Sequence, residues 1–419
     1  MTTTSPAQAV LSGGDTGWLE DFYQDLHRHP ELSHQEHRTA SKVAERLGEW
    51  DFEVRTGVGG TGVVGVLRNG PGPTVLLRAD MDALPVREAT GLRYASTVTT
   101  DGDSPTPVMH ACGHDVHVTC LLGAAQLLAA GTGHWSGTAI ALFQPAEETA
   151  DGARGMVEDG LRSIIPAPDV ALAQHVLPLP AGRVATGSGP VLAAADSMRI
   201  TVHGSGGHGS MPHTTVDPVV VAAMIVVRLQ TVVAREVPPG EPVVLTVGSV
   251  QAGTKSNVIP DTAVIELNVR TYGEQVRTQV LDAIDRIVRA ECVASRCPKE
   301  PEFEVFGSFP VTENDHEVTE RVTGALQEHF DDVGEMGRWT ASEDFGDLPA
   351  AFDAPSTYWA LGGVDPEGYE RAARQGRVAQ DIPANHSAKF APVPQPTLDA
   401  GTRGLVVAAL AYLKPEADR

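Results

Sequence analysis

Three uninterrupted apolar runs constrain this chain more than any other feature: TVLLRAD (74–80), TAIALFQ (138–144) and DVALAQHV (169–176). A strand that is apolar at nearly every position is covered on both faces, the condition of a parallel sheet packed between helices. Each run gives way at its carboxyl end to side chains that hold cations. Asp80 and Asp82 close the first, Glu147 and Glu148 follow the second behind a proline, and His175 stands at the end of the third. Active sites of open α/β sheets lie at that carboxyl edge. Between the first two runs lies MHACGHDVH (109–117), in which only Gly113 separates Cys112 from His114. Thiolate and imidazole suit a borderline or soft divalent metal, and the glycine lets the backbone turn tightly between them. A lone Cys-x-His is equally well a buried cysteine beside incidental histidines. Four deliveries of ligand chemistry to one edge point to a metal site.

The 419 residues carry a formal net charge of −23, which argues against nucleic acid or an anionic membrane surface as partner. Four cysteines (Cys112, Cys120, Cys292, Cys297) are too few for a disulfide framework, although Cys292 and Cys297 could pair. The opening MTTTSPAQAVLSGG has neither a basic start nor an apolar run, and no uninterrupted apolar stretch is long enough to span a bilayer. The expectation is a soluble cytoplasmic protein.

Taken in order, the first dozen residues read as a flexible tail. A helix capped by Asp15 or Thr16 is expected to run to His29, stopped by Pro30, and a second from Ser33–Gln35 to Trp50. The run LHRHPELSHQE between them reads as a polar loop, and His34 within it and His37 just after it are read the same way. A strand is expected at 63–68 and a helix over Val118–Ala130, with a short helix in DGARGMVEDG. From Asp196 the pattern changes to alternation: strands near 196–203, 243–250, 263–271 and 302–307, with helices over Asp217–Arg235 and 273–291. This β-α-β-β-α-β order is that of a split-βαβ unit. The fold class expected is therefore α/β: a catalytic domain with a mostly parallel sheet flanked by helices, plus an inserted α+β, ferredoxin-like domain. The boundaries expected are 1–195 and 309–419 for the catalytic domain and 196–308 for the insert. In the last segment TENDHEVTERVTGALQEHF reads as helix, STYWALGG (356–363) as strand, ANHSAKFAP as loop and TLDAGTRGLVVAALAYL as a closing helix.

Glu147 and Glu148 are adjacent, so one can bind metal while the other serves as general base for water. A second metal would need a bridging thiolate or carboxylate. His386, in NHSAKF, is a further candidate ligand. His208 lies between glycines in GSGGHGSMPH, which suits a loop at a ligand site; His203 and His213 are left as connection residues. SEDF (342–345) is ambiguous, and the roles of Asp115, His117, Glu343 and Asp344 stay open.

Together these motifs resemble the aminoacylase and carboxypeptidase family of binuclear metal-dependent amidohydrolases, in the branch of indole-3-acetyl-amino acid hydrolases, hippurate hydrolases and N-acyl-amino acid deacylases. The resemblance runs from DLHRHPELS through RADMDALP, MHACGHDVH, FQPAEE, QHV, GGHGSMPH, NVIPD and SEDF to HS-x-x-F. It implies two divalent ions (Zn, Mn, Co or Ni) held by Cys112, His114, Glu148, His175 and His386, with Cys112 as the bridge. It implies Glu147 as general base, Asp82 as the acid that orients a ligand, and His208 as a lid histidine that reaches the partner subunit's site and stabilises the oxyanion. Asn257 and Arg270 match positions that hold the substrate carboxylate, and the inserted lid is implied to dimerise. The chain departs from the pattern at Asn385-His386-Ser387-Ala388, which has one histidine where two are frequent. Further departures are Lys255, where a small residue is common, and the acidic insert TTDGDSPTP (99–107). The function implied is hydrolysis of the amide bond of N-acyl amino acids. The alternatives are a dipeptidase or carboxypeptidase of the same family, a cysteine hydrolase with Cys112 as nucleophile and His114 or His117 as base, and a metal-stabilised binding protein without turnover.

Overall fold

The computed structural model describes residues 5–102 and 104–413. Its main sheet has eight strands. Six are β1 (Glu53–Val58), β2 (Gly62–Asn69), β3 (Thr74–Asp80), β4 (Gly137–Gln144), β5 (Val170–Pro180) and β6 (Val184–Thr186); the others are Val333–Glu335 and Ser356–Val364. The order is β1, β2, β4, β3, β5, Ser356–Val364, β6, Val333–Glu335. Parallel pairings are the majority, as expected, with antiparallel pairings among them. β1, β2 and β4 pair antiparallel, and β6 runs antiparallel to Ser356–Val364. The parallel part is the centre, where β4, β3, β5 and Ser356–Val364 lie side by side. These are the apolar runs, and helices cover both faces of the centre. Register then does the positional work. Asp80 pairs with Gln144 and Arg78 with Ala173, so His175, two residues on, is level with Asp80.

The helix His114–Ala130 is buried almost all round. Small residues let it approach its neighbours closely. A Cβ on Gly123 would stand 2.8 Å from Thr402 Oγ1, and one on Gly401 2.6 Å from Cys120 Sγ, so the closing helix Pro394–Leu410 lies against it. Gly113 has φ +87°, and a Cβ there would meet Val176 Cγ1 at 2.4 Å. Only glycine fits between the two ligand candidates.

The chain divides into two compact units: Met1–Val191 with Glu313–Gly337 and Asp344–Arg419, and Leu192–Thr312 with Arg338–Glu343. The second unit is a four-stranded antiparallel sheet in the order Val244–Ala252, Thr262–Thr271, Ala194–His203, Glu302–Phe309. Its helices Pro218–Thr231 and Glu274–Ala294 share one apolar core with the sheet, through residues such as Val221, Ile225, Ile265 and Ile284. Continued through a last turn to Glu236, the first of these helices is long and apolar enough to cross a membrane by length and composition; a third of it is buried within this unit.

Several expectations are corrected. Of the N-terminal tail, residues 1–4 lie outside the described residues, but Pro6–Leu11 is a helix capped by Ser5, with Val10 buried. The next helix begins at Leu19, because Asp15 accepts the Gly17 N–H instead of capping it. The third begins at His37 and the fourth at His114. Within TENDHEVTERVTGALQEHF, Thr312–Asn314 is a strand and the helix is His316–Gln327, capped by Asp315. The acidic insert turns back on itself through Thr100 N–H and Thr106 O, 2.8 Å apart, with Asp103 outside the described residues.

The LHRHPELSHQE segment is a structural hub. His27 is fully buried, with Nδ1 2.7 Å from Asp115 Oδ2 and Nε2 3.2 Å from Glu88 Oε1. Burial alone would lower its pKa, but the bonds to Asp115 and Glu88 outweigh that and raise it to about 9. The unfolded value is about 6.5. Because the folded pKa is the higher, this pair of bonds stabilises fully below about pH 6.5 and the contribution is lost as pH rises through about 9, a change on the order of 3 kcal/mol. Denaturant midpoints measured from pH 6 to 10 should fall in the wild type and fall less in His27→Gln; parallel curves would remove His27 as the cause.

Candidate metal centre

Asp82 organises the site. It is buried, and its two oxygens accept from three segments: the Ser33 hydroxyl (2.7 Å), the Glu148 N–H (3.0 Å) and His114 Nδ1 (3.1 Å). The last bond fixes the tautomer. With its proton on Nδ1, His114 turns the Nε2 lone pair to the other side of the ring. Among the described residues that atom is buried and without a hydrogen-bond partner, 3.7 Å from Asp80 Oδ2, 3.9 Å from Glu147 Oε2 and 4.0 Å from Glu148 Oε1. Glu148 Oε1 is likewise buried without a hydrogen bond, although it lies 3.3 Å from His386 Nε2.

His175 is set the same way from the other side. Its Nδ1 donates to the Val176 carbonyl at 2.9 Å, and its Nε2 stands 3.4 Å from Cys112 Sγ. Asn385 Nδ2 donates to the carbonyls of Cys112 and Val176, each at 3.1 Å, and so ties the NHS loop to both ligand segments. His386 holds φ +69° there. The candidate ligand atoms fall into overlapping groups: Cys112, Glu148 and His386 in one, His114, Glu147 and Glu148 in another, and His114 and His175 with Asp80 and His117 in a third.

The electrostatics suit cations. Burial raises the Cys112 thiol pKa well above its ordinary value, and Glu148, Glu147 and Asp80 raise it further. Burial lowers the pKa of His175 well below the usual range, aided by His117. His114 is the opposite case. Burial would lower its pKa, but Asp80 and Asp82 lift it to about 10. A pocket that keeps a proton on both a thiol and an imidazole is short of positive charge, and metal ions supply it by displacing those protons. The orphaned His114 Nε2 and Glu148 Oε1, with a thiol and two further imidazoles, fit two divalent ions. The same environment opposes Cys112 as a nucleophile, since burial and the neighbouring carboxylates disfavour the thiolate.

His117 looks like a fourth imidazole ligand but is not available. Its Nδ1 is hydrogen-bonded to Asp80 Oδ1, and its Nε2 accepts the Val176 N–H at 2.8 Å. Both ring nitrogens are committed. Asp80 is committed too, because its other oxygen accepts from Arg78 at 2.8 Å. Asp344 accepts from Gln144 Nε2 (2.6 Å), the Ala153 N–H (3.0 Å) and Arg78 (3.3 Å), and so ties the ends of the strands to the loop after Glu148. Asp115 belongs to the His27 network described above.

The remaining expected residues lie in the second unit, together with buried Glu343. His208 pairs with Val258 in a two-stranded ribbon, and the Gly209 N–H donates to the Asn257 carbonyl at 2.9 Å, so His208 and Asn257 are neighbours. His208 Nδ1 accepts the Ser210 N–H at 3.1 Å, which leaves the proton on the exposed Nε2. Arg270 is half-buried, and its guanidinium donates to neutral acceptors only: Asn268 Oδ1 (3.0 Å), Thr340 O (3.0 Å) and Ser342 Oγ (2.7 Å). Among the described residues it makes no ion pair, whereas Arg199, Arg277 and Arg289 of the same unit each do.

The model of Peptidase family M20/M25/M40 matches residues 76–374. The chain belongs to this family. It is 38% identical over 378 residues to thermostable carboxypeptidase 1 of Saccharolobus solfataricus, covering 89% of this chain and 90% of that protein. It is 37% identical over 335 residues to hippurate hydrolase of Campylobacter jejuni, covering 79% and 84%. A Bacillus subtilis structure described as a dinuclear metal-binding peptidase of the M20 family superimposes with a TM-score of 0.76 at 28% identity, covering 95% of this chain and 98% of that one. This M20 protein is thus a metal-dependent hydrolase of small amide or peptide substrates, with a pair of metal ions as cofactor.

Sequence reasoning missed Ser33, Glu36, Arg78, Gln144 and Asn385. Their signal is in the fold rather than in any spacing, because each acts through hydrogen bonds to segments far along the chain. The two kinds of histidine can be separated by metal analysis. His175→Ala should bind about one metal ion fewer than the wild type, whereas His117→Ala should retain two; one ion lost in both would make His117 a ligand.

Proposed function

We propose that this M20 hydrolase cleaves the amide bond of N-acyl amino acids, releasing a carboxylic acid and a free amino acid. The observation that carries the proposal is Arg270: a half-buried guanidinium, oriented by three neutral acceptors, with no carboxylate beside it among the described residues. In a chain of net charge −23 an unpaired, placed arginine is a receptor for an anion, and a carboxylate is the anion it fits in fork geometry. The relative named hippurate hydrolase supports the acyl side of this reading.

Cys112, His114, Glu148, His175 and His386 are assigned as metal ligands, with Asp82 holding His114 in the ligating tautomer. Two bound divalent ions supply Lewis acidity and lower the pKa of water. Glu147 is the general base that takes the proton from water and returns it to the leaving amine. His208 offers its Nε2–H as donor to the tetrahedral oxyanion, and Asn257 beside it binds substrate. A carboxypeptidase or dipeptidase reading is favoured by the relative named thermostable carboxypeptidase 1. Both readings need a free carboxylate, and they differ in what stands on the acyl side.

The protein is further read as a cytoplasmic homodimer. Its cysteines are free thiols, which suits a reducing compartment. The helix Pro218–Thr231 exposes Val219, Val220, Met224 and Val227, and the edge strand Val244–Ala252 exposes Val244 and Val250. An apolar helix face next to an open strand edge is what a second copy would cover.

The test is a panel of N-acetyl, N-benzoyl and indole-3-acetyl amino acids with several dipeptides, assayed after chelation and after restoration of Zn, Mn, Co or Ni. Metal-dependent release from the N-acyl substrates is expected, with dipeptides slower; the reverse order favours the peptidase reading. Arg270→Ala should raise KM about 10–100-fold for free-carboxylate substrates, the loss of a charge-assisted contact, and leave the corresponding amides unaffected. Glu147→Gln should retain both metals and lose about 10²–10⁴ in kcat. Met224→Asp with Val227→Asp should halve the mass measured by light scattering without changing the far-UV spectrum.

A further inference from the structure

Glu36 has no part in the roles assigned above, yet it is a fully buried carboxylate both of whose oxygens accept hydrogen bonds. Its Oε1 accepts the Ala146 N–H at 2.8 Å and the His34 N–H at 3.1 Å, and its Oε2 accepts the Thr61 hydroxyl at 2.5 Å. Ala146 is the residue immediately before Glu147, and it holds φ +52°. That is the left-handed region, where a side chain is strained and which persists only when the surroundings impose it.

The surroundings here are specific. The Ala146 carbonyl accepts the Gly152 N–H at 3.1 Å, and the Ala150 N–H donates to the Glu147 carbonyl at 2.9 Å, which closes the loop on itself. A Cβ on Gly152 would stand 1.7 Å from Pro145 O, so the turn is packed backbone against backbone. The Ala146 N–H lies beyond the end of β4 and has no strand to pair with. Glu36 supplies its acceptor, and Thr61 holds that acceptor from the other side. Two residues further, Asp82 accepts the Glu148 N–H. The peptide N–H groups on either side of Glu147 are thus each held by a buried carboxylate.

The geometry points to Glu36 as the positioning residue of Glu147. By fixing the strained Ala146 peptide it aims the Glu147 carboxylate at the water it deprotonates. The inference rests on Glu147 being the general base. What it requires of residue 36 is an acceptor, not a charge. Glutamine in its place can accept both N–H groups on Oε1 and donate its amide to Thr61 Oγ, whereas leucine fills similar space and accepts nothing.

The experiment compares Glu36→Gln, Glu36→Leu, Thr61→Val and Glu147→Gln by kcat, KM, metal content and melting temperature, with whichever panel substrate the wild type hydrolyses. In Glu36→Leu, kcat should fall about 10–100-fold, the scale of a misdirected catalytic group, with KM within about twofold and two metals retained. Glu36→Gln should keep kcat within about threefold of wild type. Thr61→Val should lower kcat about fivefold at unchanged KM, and it carries the test alone if Glu36→Leu fails to fold. Wild-type kcat in Glu36→Leu or Thr61→Val, or a loss of kcat matched by loss of metal, overturns the positioning role. So does a Glu36→Gln variant as impaired as Glu36→Leu. Full turnover in Glu147→Gln would instead remove the general-base reading and this inference with it, which separates the two failures.

Discussion

The hydrogen bonds to the Asp82 carboxylate are the contacts on which the rest of the site depends. Three segments with no sequence relation meet at it: the Ser33 turn, the amino-terminal end of the His114 helix and the backbone of Glu148. Each contributes a donor, and the buried carboxylate must satisfy all its lone pairs there because water cannot. The constraint works in both directions. The donors keep Asp82 ionised in spite of its burial, and the ionised carboxylate fixes the His114 tautomer and the course of the Glu147–Glu148 backbone. Remove it and two candidate ligands and the candidate base lose their common reference.

Around that point the site concentrates negative charge in the interior: Asp80, Asp82, Glu147 and Glu148 within one edge of the sheet. Only Arg78 among the nearby cations is permanent, and it is committed to Asp80 and Asp344. Such a cluster is unstable as drawn by charge alone. Protons on His114 and Cys112 relieve it in the metal-free chain, and metal ions relieve it better. Affinity for metal and the shifted acidities of the ligands are two descriptions of one electrostatic fact.

Much of this was legible in the sequence, and the reason is burial. TVLLRAD forms a strand over its whole length because it is covered on both faces, and continuous apolarity is a signal that no exposed strand gives. The alternation in 196–203 and 263–271 was legible for the complementary reason: one face of the second unit's sheet is packed against helices and the other is not. By contrast Glu53–Val58, EVRTGV, is an edge strand with most residues exposed, so its sequence carries no pattern to read. Its antiparallel pairing with Gly62–Asn69 could not be read either. At the site, the ligand candidates stood out because they end apolar runs. His117 stood out equally and is not available as a ligand, since what distinguishes it from His175 is where its ring nitrogens find partners. Glu36 was invisible inside a polar loop because its partner, the Ala146 N–H, lies 110 residues away.

The burial of Cys112 has a consequence for the life of the enzyme outside catalysis. Thiols are attacked by peroxides and alkylating agents as thiolates, and only where those reagents can reach. Cys112 is buried, and its thiol holds its proton well above neutral pH. Under the ligand assignment proposed above, the thiolate's reactive lone pair would be engaged by metal. Burial and acidity thus shelter the residue on their own, and the ligation proposed above would add a second form of protection.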